Sequence, residues 1–173
     1  MDEWLFPSRK ANLTEVILAS DVGVNYQNLE NLLKAGQWKT ADQETTRVML
    51  KVAKREQEGW LNYESIEKFP CTDLRTIDQL WVKYSNGHFG FSVQKRIWLE
   101  CGGKVDYKTE CLLGDRLGWR KNGDWLDHDH KDYNYSLDAT QGHLPFPPVP
   151  PIGTTKALTL HEEIGTLLSR PDL

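Results

Sequence analysis

The densest run of side chains able to do chemistry is Asp127-His128-Asp129-His130-Lys131-Asp132, which puts two imidazoles and three carboxylates in one stretch. A His-x-His pair flanked by Asp offers nitrogen and oxygen ligands to a divalent metal, but alternate residues face one way only on a regular strand. A solvated polar loop is the simpler reading, and no metal is assigned to it. His88 and His143 read as hydrogen-bonded structural or surface residues. Cys71, Cys101 and Cys111 are odd in number and form no CxxC. They read as reduced thiols in core packing rather than as a disulfide framework or a zinc site. The chain has no Gly-x-Ser-x-Gly elbow, Walker loop, dinucleotide fingerprint or His-Glu-x-x-His, so nucleophilic, phosphoryl-transfer and zinc-hydrolase chemistry lack their parts. The expectation is a protein that is not an enzyme.

A second run, Gly87-His88-Phe89-Gly90-Phe91-Ser92-Val93, approaches the RNA-recognition octapeptide and fails it. The basic-then-Gly order is absent, Ser92 stands where Val is needed, and helical patterns surround it instead of a four-stranded sheet. The charge balance agrees: a net charge of −4 over 173 residues lacks the basic surface that counterion release requires, so no nucleic-acid partner is expected. No stretch approaches the ~20 apolar residues of a membrane span, and MDEWLFPSRK carries acidic residues where a signal or transit peptide would be basic. Seven Trp, six Tyr and five Phe against a mean hydropathy of −0.59 concentrate the apolar content in a few large rings.

The elements that must position these groups are mostly helices. Tyr26, Leu29, Leu32 and Leu33 share one face of a helix closed by Gly36. The capping box Thr40-Ala41-Asp42-Gln43 opens the next, carrying Trp38, Ala41, Thr45, Val48 and Val52. A loop and short helix follow from Gly59 to Pro70. Leu74, Ile77, Leu80, Trp81 and Tyr84 then mark a strongly amphipathic helix from Asp73, and Ser92 caps another that ends at Gly102-Gly103. The Asn122-Gly123 pair between Trp119 and Trp125 signals a hairpin with Lys121 opposite Asp124. Tyr133, Tyr135 and Leu137 alternate as an extended loop. Phe146 to Pro151 reads as a polyproline spacer, and Thr159-Leu160-His161-Glu162 opens a last helix with Ile164, Leu167 and Leu168 on one face. The expected organisation is an N-terminal extension over 1–25, a domain over 26–145, and a proline-rich spacer with a C-terminal helix over 146–173.

The ordered strings Asp73-Leu74-Arg75-Thr76-Ile77-Asp78-Gln79-Leu80-Trp81, Ser85-Asn86-Gly87 and Phe89-Gly90-Phe91-Ser92-Val93-Gln94 carry a specific resemblance. Together with Glu67-Lys68-Phe69-Pro70, Gly118-Trp119 and Gly142-His143-Leu144-Pro145, they resemble the genomes-uncoupled-four (GUN-four) domain over roughly residues 30–145. The resemblance implies a mainly α, compact helical domain with a cupped binding surface, to which the sequence adds the short Asn-Gly hairpin and extended loop near the C-terminal part. It further implies a non-catalytic protein that binds protoporphyrin IX or Mg-protoporphyrin IX and stimulates magnesium chelatase through that enzyme's large, porphyrin-binding subunit in chlorophyll biosynthesis. Without a transit peptide the expected location is the cytoplasm of a cyanobacterium, with peripheral membrane attachment left open.

In that family the cup is lined by the segments corresponding to residues 55–66 and to the loop from Leu126 to Tyr135. Their walls here would be Tyr63, Ile66, Leu126, Tyr133 and Tyr135, with Arg55, His128, His130 and Lys131 as partners for the propionates. Trp81, Phe89, Phe91 and Trp98 would hold the core. A porphyrin is a flat apolar plate with two carboxylates at one edge, which suits a greasy cleft rimmed by cations. Burying about 300 Å² of apolar surface at ~25 cal/mol/Å² gives roughly 7 kcal/mol gross, and ordering costs reduce that to the modest affinity of a protein that releases its ligand. Two departures stand out: the acidic run Asp127 to Asp132, and Lys156 and Arg170 as the only cations after Lys131. They leave a bilin-binding relative, or a helical protein-interaction module of the same fold, as alternatives.

Overall fold

The computed structural model describes residues 15–127, 131–150 and 160–173, with the side chains of the last stretch described from Glu163. Among the described residues there are seven helices and one two-stranded hairpin: α1 (Gln27–Lys34), α2 (Trp38–Ala53), α3 (Tyr63–Glu67), α4 (Cys71–Tyr84), α5 (Phe91–Glu100), α6 (Tyr107–Leu117), β1 (Arg120–Lys121), β2 (Asp124–Trp125) and α7 (Leu160–Ser169). The protein is thus mainly α. Asn122 (φ 54) and Gly123 (φ 91) supply the two left-handed residues of a tight turn, across which Lys121 pairs with Asp124.

Three helices start earlier than their side chains advertise. α2 begins at Trp38, two residues before the Thr40 capping box, because the Trp38 ring belongs inside: it packs 6.1 Å from Trp81 and 5.6 Å from Phe89. α4 begins at Cys71, directly after Pro70. Asp73 therefore does not open that helix. It lies within the first turn and accepts hydrogen bonds from the Ser20 hydroxyl, the Asp21 N–H and the Tyr26 hydroxyl, fastening residues 20–26 onto α4. α5 begins at Phe91, and the orphan N–H of Ser92 is capped from a different helix, by Asp78 of α4 at 2.8 Å.

That cross-helix cap explains the Phe-Gly-Phe string. Gly90 sits at φ 133, where a Cβ would lie 2.7 Å from Val82 Cγ2 and 2.9 Å from Asp78 Oδ1. A side chain there would push α4 and α5 apart. The two phenylalanines and Trp81 are fully buried, and Trp81 Nε1 donates to Thr45 Oγ1 at 2.9 Å, so α2, α4 and α5 meet around one aromatic cluster.

α6 has no counterpart in the sequence reading. Asp106 caps it through the Thr109 N–H at 2.8 Å, and Gly118 ends it in the left-handed conformation. Its periodicity is hidden by charged residues and by Gly114, which faces Trp125 so closely that a Cβ would lie 2.7 Å from the indole. The hairpin is thereby laid against α6.

The stretch from Phe146 to Pro150 is not a solvated spacer. Phe146, Pro147, Pro148 and Pro150 are buried, and the Phe146 ring packs 4.7 Å from Trp119. Gln94 holds the approach to it by donating to the carbonyls of Gly142 and Pro145 at 3.0 and 2.7 Å. Proline suits this place because a strap with few N–H groups leaves few donors to satisfy when buried. The proposed capping box at Thr159 lies outside the described residues.

Candidate functional site

The outward face of α2 is the floor of an open cleft. Asp42, Gln43 and Thr46 from α2, Gly59 from the α2–α3 loop, and Phe146, Pro147, Pro148 and Val149 from the strap enclose a cavity of about 270 Å³. The strap is anchored at both sides of this cavity. Asp42 Oδ1 accepts the Phe146 N–H at 2.8 Å, and the Pro148 carbonyl accepts the Leu61 N–H at 2.7 Å. Asp42 is 2% exposed, and burial pushes its carboxyl up to about 7 against the opposing pull of the Phe146 N–H.

Beside this floor stands a stack of rings from the segment after β2. Tyr133 packs 4.9 Å from Tyr135 and 4.4 Å from His143, while the Lys39 ammonium of α2 lies 5.5 Å over the Tyr135 ring. Burial, followed by the charge of Asp42, pushes the Tyr133 phenol up and keeps it neutral. Burial pushes His143 down, and its Nδ1 contacts the Leu117 carbonyl at 2.6 Å, so Nδ1 carries the proton and the ring is a neutral spacer.

A second cavity, about 410 Å³, shares none of these residues. It lies between the end of α2 and α3, among Val22, Val52, Lys54, Arg55, Asn62, Ser65, Lys68 and Phe69. Arg55 is placed here. Its Nε donates to the Trp60 carbonyl at 2.8 Å and its guanidinium lies 4.9 Å from the Trp60 ring, so it braces the loop that separates the two cavities.

The other residues singled out from sequence fall in different surroundings. Tyr133 and Tyr135 are brought together, but Tyr133 is 6% exposed and belongs to the core, whereas Tyr135 is half-buried. Tyr63 is exposed and its hydroxyl donates to Glu67 at 2.6 Å. Ile66 is buried, with its carbonyl turned to Arg170. Leu126 is buried behind the hairpin, its N–H donating to the Trp119 carbonyl at 2.8 Å. Lys131 is exposed, and neighbouring Asp132 pairs with Lys121 at 2.7 Å. His128 and His130 lie outside the described residues. The described residues hold no cluster of three or more His, Cys, Asp or Glu able to bind a metal ion.

Sequence reasoning missed Asp42, Lys39, Gly59 and the strap. Asp42 was read only as part of a helix opening, where a carboxylate is ordinarily solvated. Its burial follows from a strand of chain 104 residues away. The proline run was itself a signal, since a buried segment lacking N–H groups looks identical to a linker when no contacts are known.

The fold and the site together define a helical domain with an open, ring-lined cleft between two loops. The chain belongs to the GUN4-like family, whose model matches residues 19–161. It is 38% identical over 130 residues to a Ycf53-like protein of Synechocystis sp., an alignment covering 74% of this chain and 53% of that one. It is 30% identical over 156 residues to a chloroplastic tetrapyrrole-binding protein of Arabidopsis thaliana, covering 83% and 53%. The chain therefore spans about half the length of these curated relatives. The solved structure of GUN4 from Chlamydomonas reinhardtii superposes with a TM-score of 0.71 at 27% identity, over 92% of this chain and 97% of that one. The ligand-free structure of Arabidopsis thaliana GUN4 gives 0.67 at 25%, over 89% and 97%. No helix among the described residues is long and apolar enough to cross a membrane.

Proposed function

We propose that this chain is a non-catalytic tetrapyrrole-binding domain that holds a porphyrin in the cleft between α2, the 54–62 loop and the Leu126–Tyr135 segment. The observation that carries the reading is the family match over residues 19–161, which spans every wall of that cleft. The Arabidopsis relative's name supports the ligand class. The cleft's chemistry fits it: Pro147, Pro148, Val149 and the half-buried Tyr135 offer flat apolar contact, while Lys39 and the exposed Lys131 offer cations for propionates. Arg55 acts from the far side of the loop, by holding Trp60.

In this reading the ligand is protoporphyrin IX or Mg-protoporphyrin IX, with a bilin as the alternative ring. The protein presents it to the large subunit of magnesium chelatase and so regulates chlorophyll biosynthesis, in the cytoplasm of a cyanobacterium. Asp127 and Asp132, in the segment that carries Lys131 and Tyr135, oppose a ligand's carboxylates, which suits weak, releasable binding.

Titration of the protein with protoporphyrin IX, its magnesium chelate and a bilin, followed by tryptophan fluorescence, tests this. Saturable quenching by at least one ring is expected, because Trp60 stands in the loop at the cleft wall. Absence of quenching by all three overturns the reading. A pull-down with the chelatase large subunit, with and without the ring, tests the partner.

A further inference from the structure

Among the described residues that line the smaller cavity, Asp42 is the only ionisable one. It is nearly sealed, and the Phe146 N–H is the one hydrogen bond that reaches it from the described residues. The described groups packed around it offer no positive charge in contact. Tyr133 is a neutral phenol, His143 lies behind that ring with its own proton on Leu117, and Lys39, one turn earlier on α2, has its ammonium over Tyr135. Gln43, Thr46, Gly59 and the strap residues are uncharged. Asp42 therefore keeps whatever charge it has through the small amount of water that the open cavity admits.

We infer that Asp42 takes up a proton when a flat apolar ring carrying carboxylates covers this cavity, so that this one side chain sets the pH dependence and ligand preference of the site. The inference rests on the tetrapyrrole reading above and adds to it. Covering the cavity removes the remaining water from the carboxylate, which penalises the charged form. The ring's own carboxylates add like charge nearby, which penalises it further. No cation among the described residues touches Asp42 to meet the first cost, and Lys39 and Lys131, placed toward the ring's carboxylates, offset only part of the second. The neutral form loses little on either count, since a carboxylic acid still accepts the Phe146 N–H and gains an O–H to donate.

For an ordinary carboxyl this coupling would be invisible at neutral pH. Here burial has already pushed Asp42 up to about 7, so near neutral pH the protonated and charged forms coexist before any ligand arrives. Binding shifts the remainder. Affinity should then be flat in mild acid and fall as pH rises, by roughly twentyfold between pH 6.5 and 8.5 if the bound form titrates about two units higher. The same argument gives a preference. Rings that present an apolar edge to the cavity bind with proton uptake, and rings with carboxylates on every edge bind worst.

The test is the affinity of deuteroporphyrin IX, protoporphyrin without its vinyl groups, for the full chain and for Asp42→Asn from pH 6.5 to 8.5. Asn keeps an acceptor for the Phe146 N–H but carries no charge. The expected result is a wild-type affinity that weakens roughly twentyfold across the range and a variant affinity that stays level near the wild-type value at pH 6.5. Equal slopes for the two proteins overturn the inference while leaving the tetrapyrrole reading intact. Failure of the wild-type to bind at any pH overturns both. Calorimetry on the wild-type alone gives a readout that needs no variant: titrations at pH 7 in two buffers of different ionisation enthalpy should report uptake of about half a proton per ring. No uptake counts against Asp42 directly.

Discussion

The hydroxyl of Tyr26 donates a 2.6 Å hydrogen bond to Asp73 inside the bundle, joining the residue before α1 to the first turn of α4 across 47 positions. Burial, and then Asp73 itself, push the Tyr26 phenol up, so it remains a donor throughout the working pH range. Because Asp73 also collects the Ser20 hydroxyl and the Asp21 N–H, each donor offsets part of the cost of burying one carboxylate. Tyr26→Phe should lower stability by about 1.5–3 kcal/mol in urea unfolding, the usual worth of a bond to a charged group. Asp73→Ala, which strands three donors, should cost more. Equal effects of the two variants would remove Asp73 as the hub.

Gly90→Ala should be far more damaging than Gly87→Ala, although the two glycines lie three residues apart. Both have positive φ, but nothing lies within 4 Å of a Cβ at Gly87, whereas one at Gly90 meets Val82 at 2.7 Å and Asp78 at 2.9 Å. The Gly87 change should cost about 1 kcal/mol of left-handed strain. The Gly90 change should cost several, through the broken Asp78–Ser92 cap as well as the backbone. Urea midpoints that rank the two alike would show that the cap is not held by close approach.

The contrast between α4 and α6 shows what the chain discloses on its own. α4 announces itself because Leu74, Ile77, Leu80 and Trp81 all face one core at helical spacing. α6 buries Thr109, Glu110, Leu113, Gly114 and Leu117, a face whose polar and small members hide the period. The cleft is legible to a similar degree. Tyr133 and Tyr135 are neighbours in both sequence and space, so alternation finds them. It does not separate the buried ring from the half-buried one, because that depends on His143 arriving from a later turn. Asp42 and the strap are invisible for the same reason: only tertiary contact tells a buried carboxylate from a surface one.

Asp42 also predicts a pH-dependent stability. The folded protein holds the Asp42 proton up to about pH 7, whereas an unfolded Asp releases it near pH 4. Between those values the folded state binds more protons, so this residue's contribution falls as pH rises through the window and stays low above it. Relative to wild type, Asp42→Asn should be nearly neutral at pH 4.5 and stabilising by about 2–4 kcal/mol at pH 8. Thermal or urea unfolding at the two pH values measures the difference. A gain that does not grow with pH would mean the carboxyl is not strained in the free protein.

Arg170, just past α7, should prove to be the pin of α3, the helix that follows the cleft's 54–62 loop. It is 8% exposed and donates to the Ile66 carbonyl at 2.6 Å, which also accepts the Phe69 N–H at 3.2 Å, and to the Glu67 carbonyl at 3.4 Å, both at the end of α3. Asp172 closes the pair at 2.9 Å. Removing the guanidinium takes the ion-pair partner from a buried carboxylate and a donor from two carbonyls, of which Ile66 keeps, among the described residues, only the Phe69 N–H, so Arg170→Ala should cost about 3–5 kcal/mol. Arg170→Lys should recover only part of this, since a single ammonium does not reproduce the fork. Hydrogen exchange gives the local signature: the amides of Ile66, Lys68 and Phe69, bonded within α3 and its cap, should lose protection before those of α4. Because α3 starts two residues after Leu61, whose N–H holds the Pro148 carbonyl, the same variant should weaken ring binding without touching a ligand-facing group. Unchanged exchange in α3, with the bundle destabilised uniformly, would reduce Arg170 to a general staple of the C-terminal segment and separate it from the cleft.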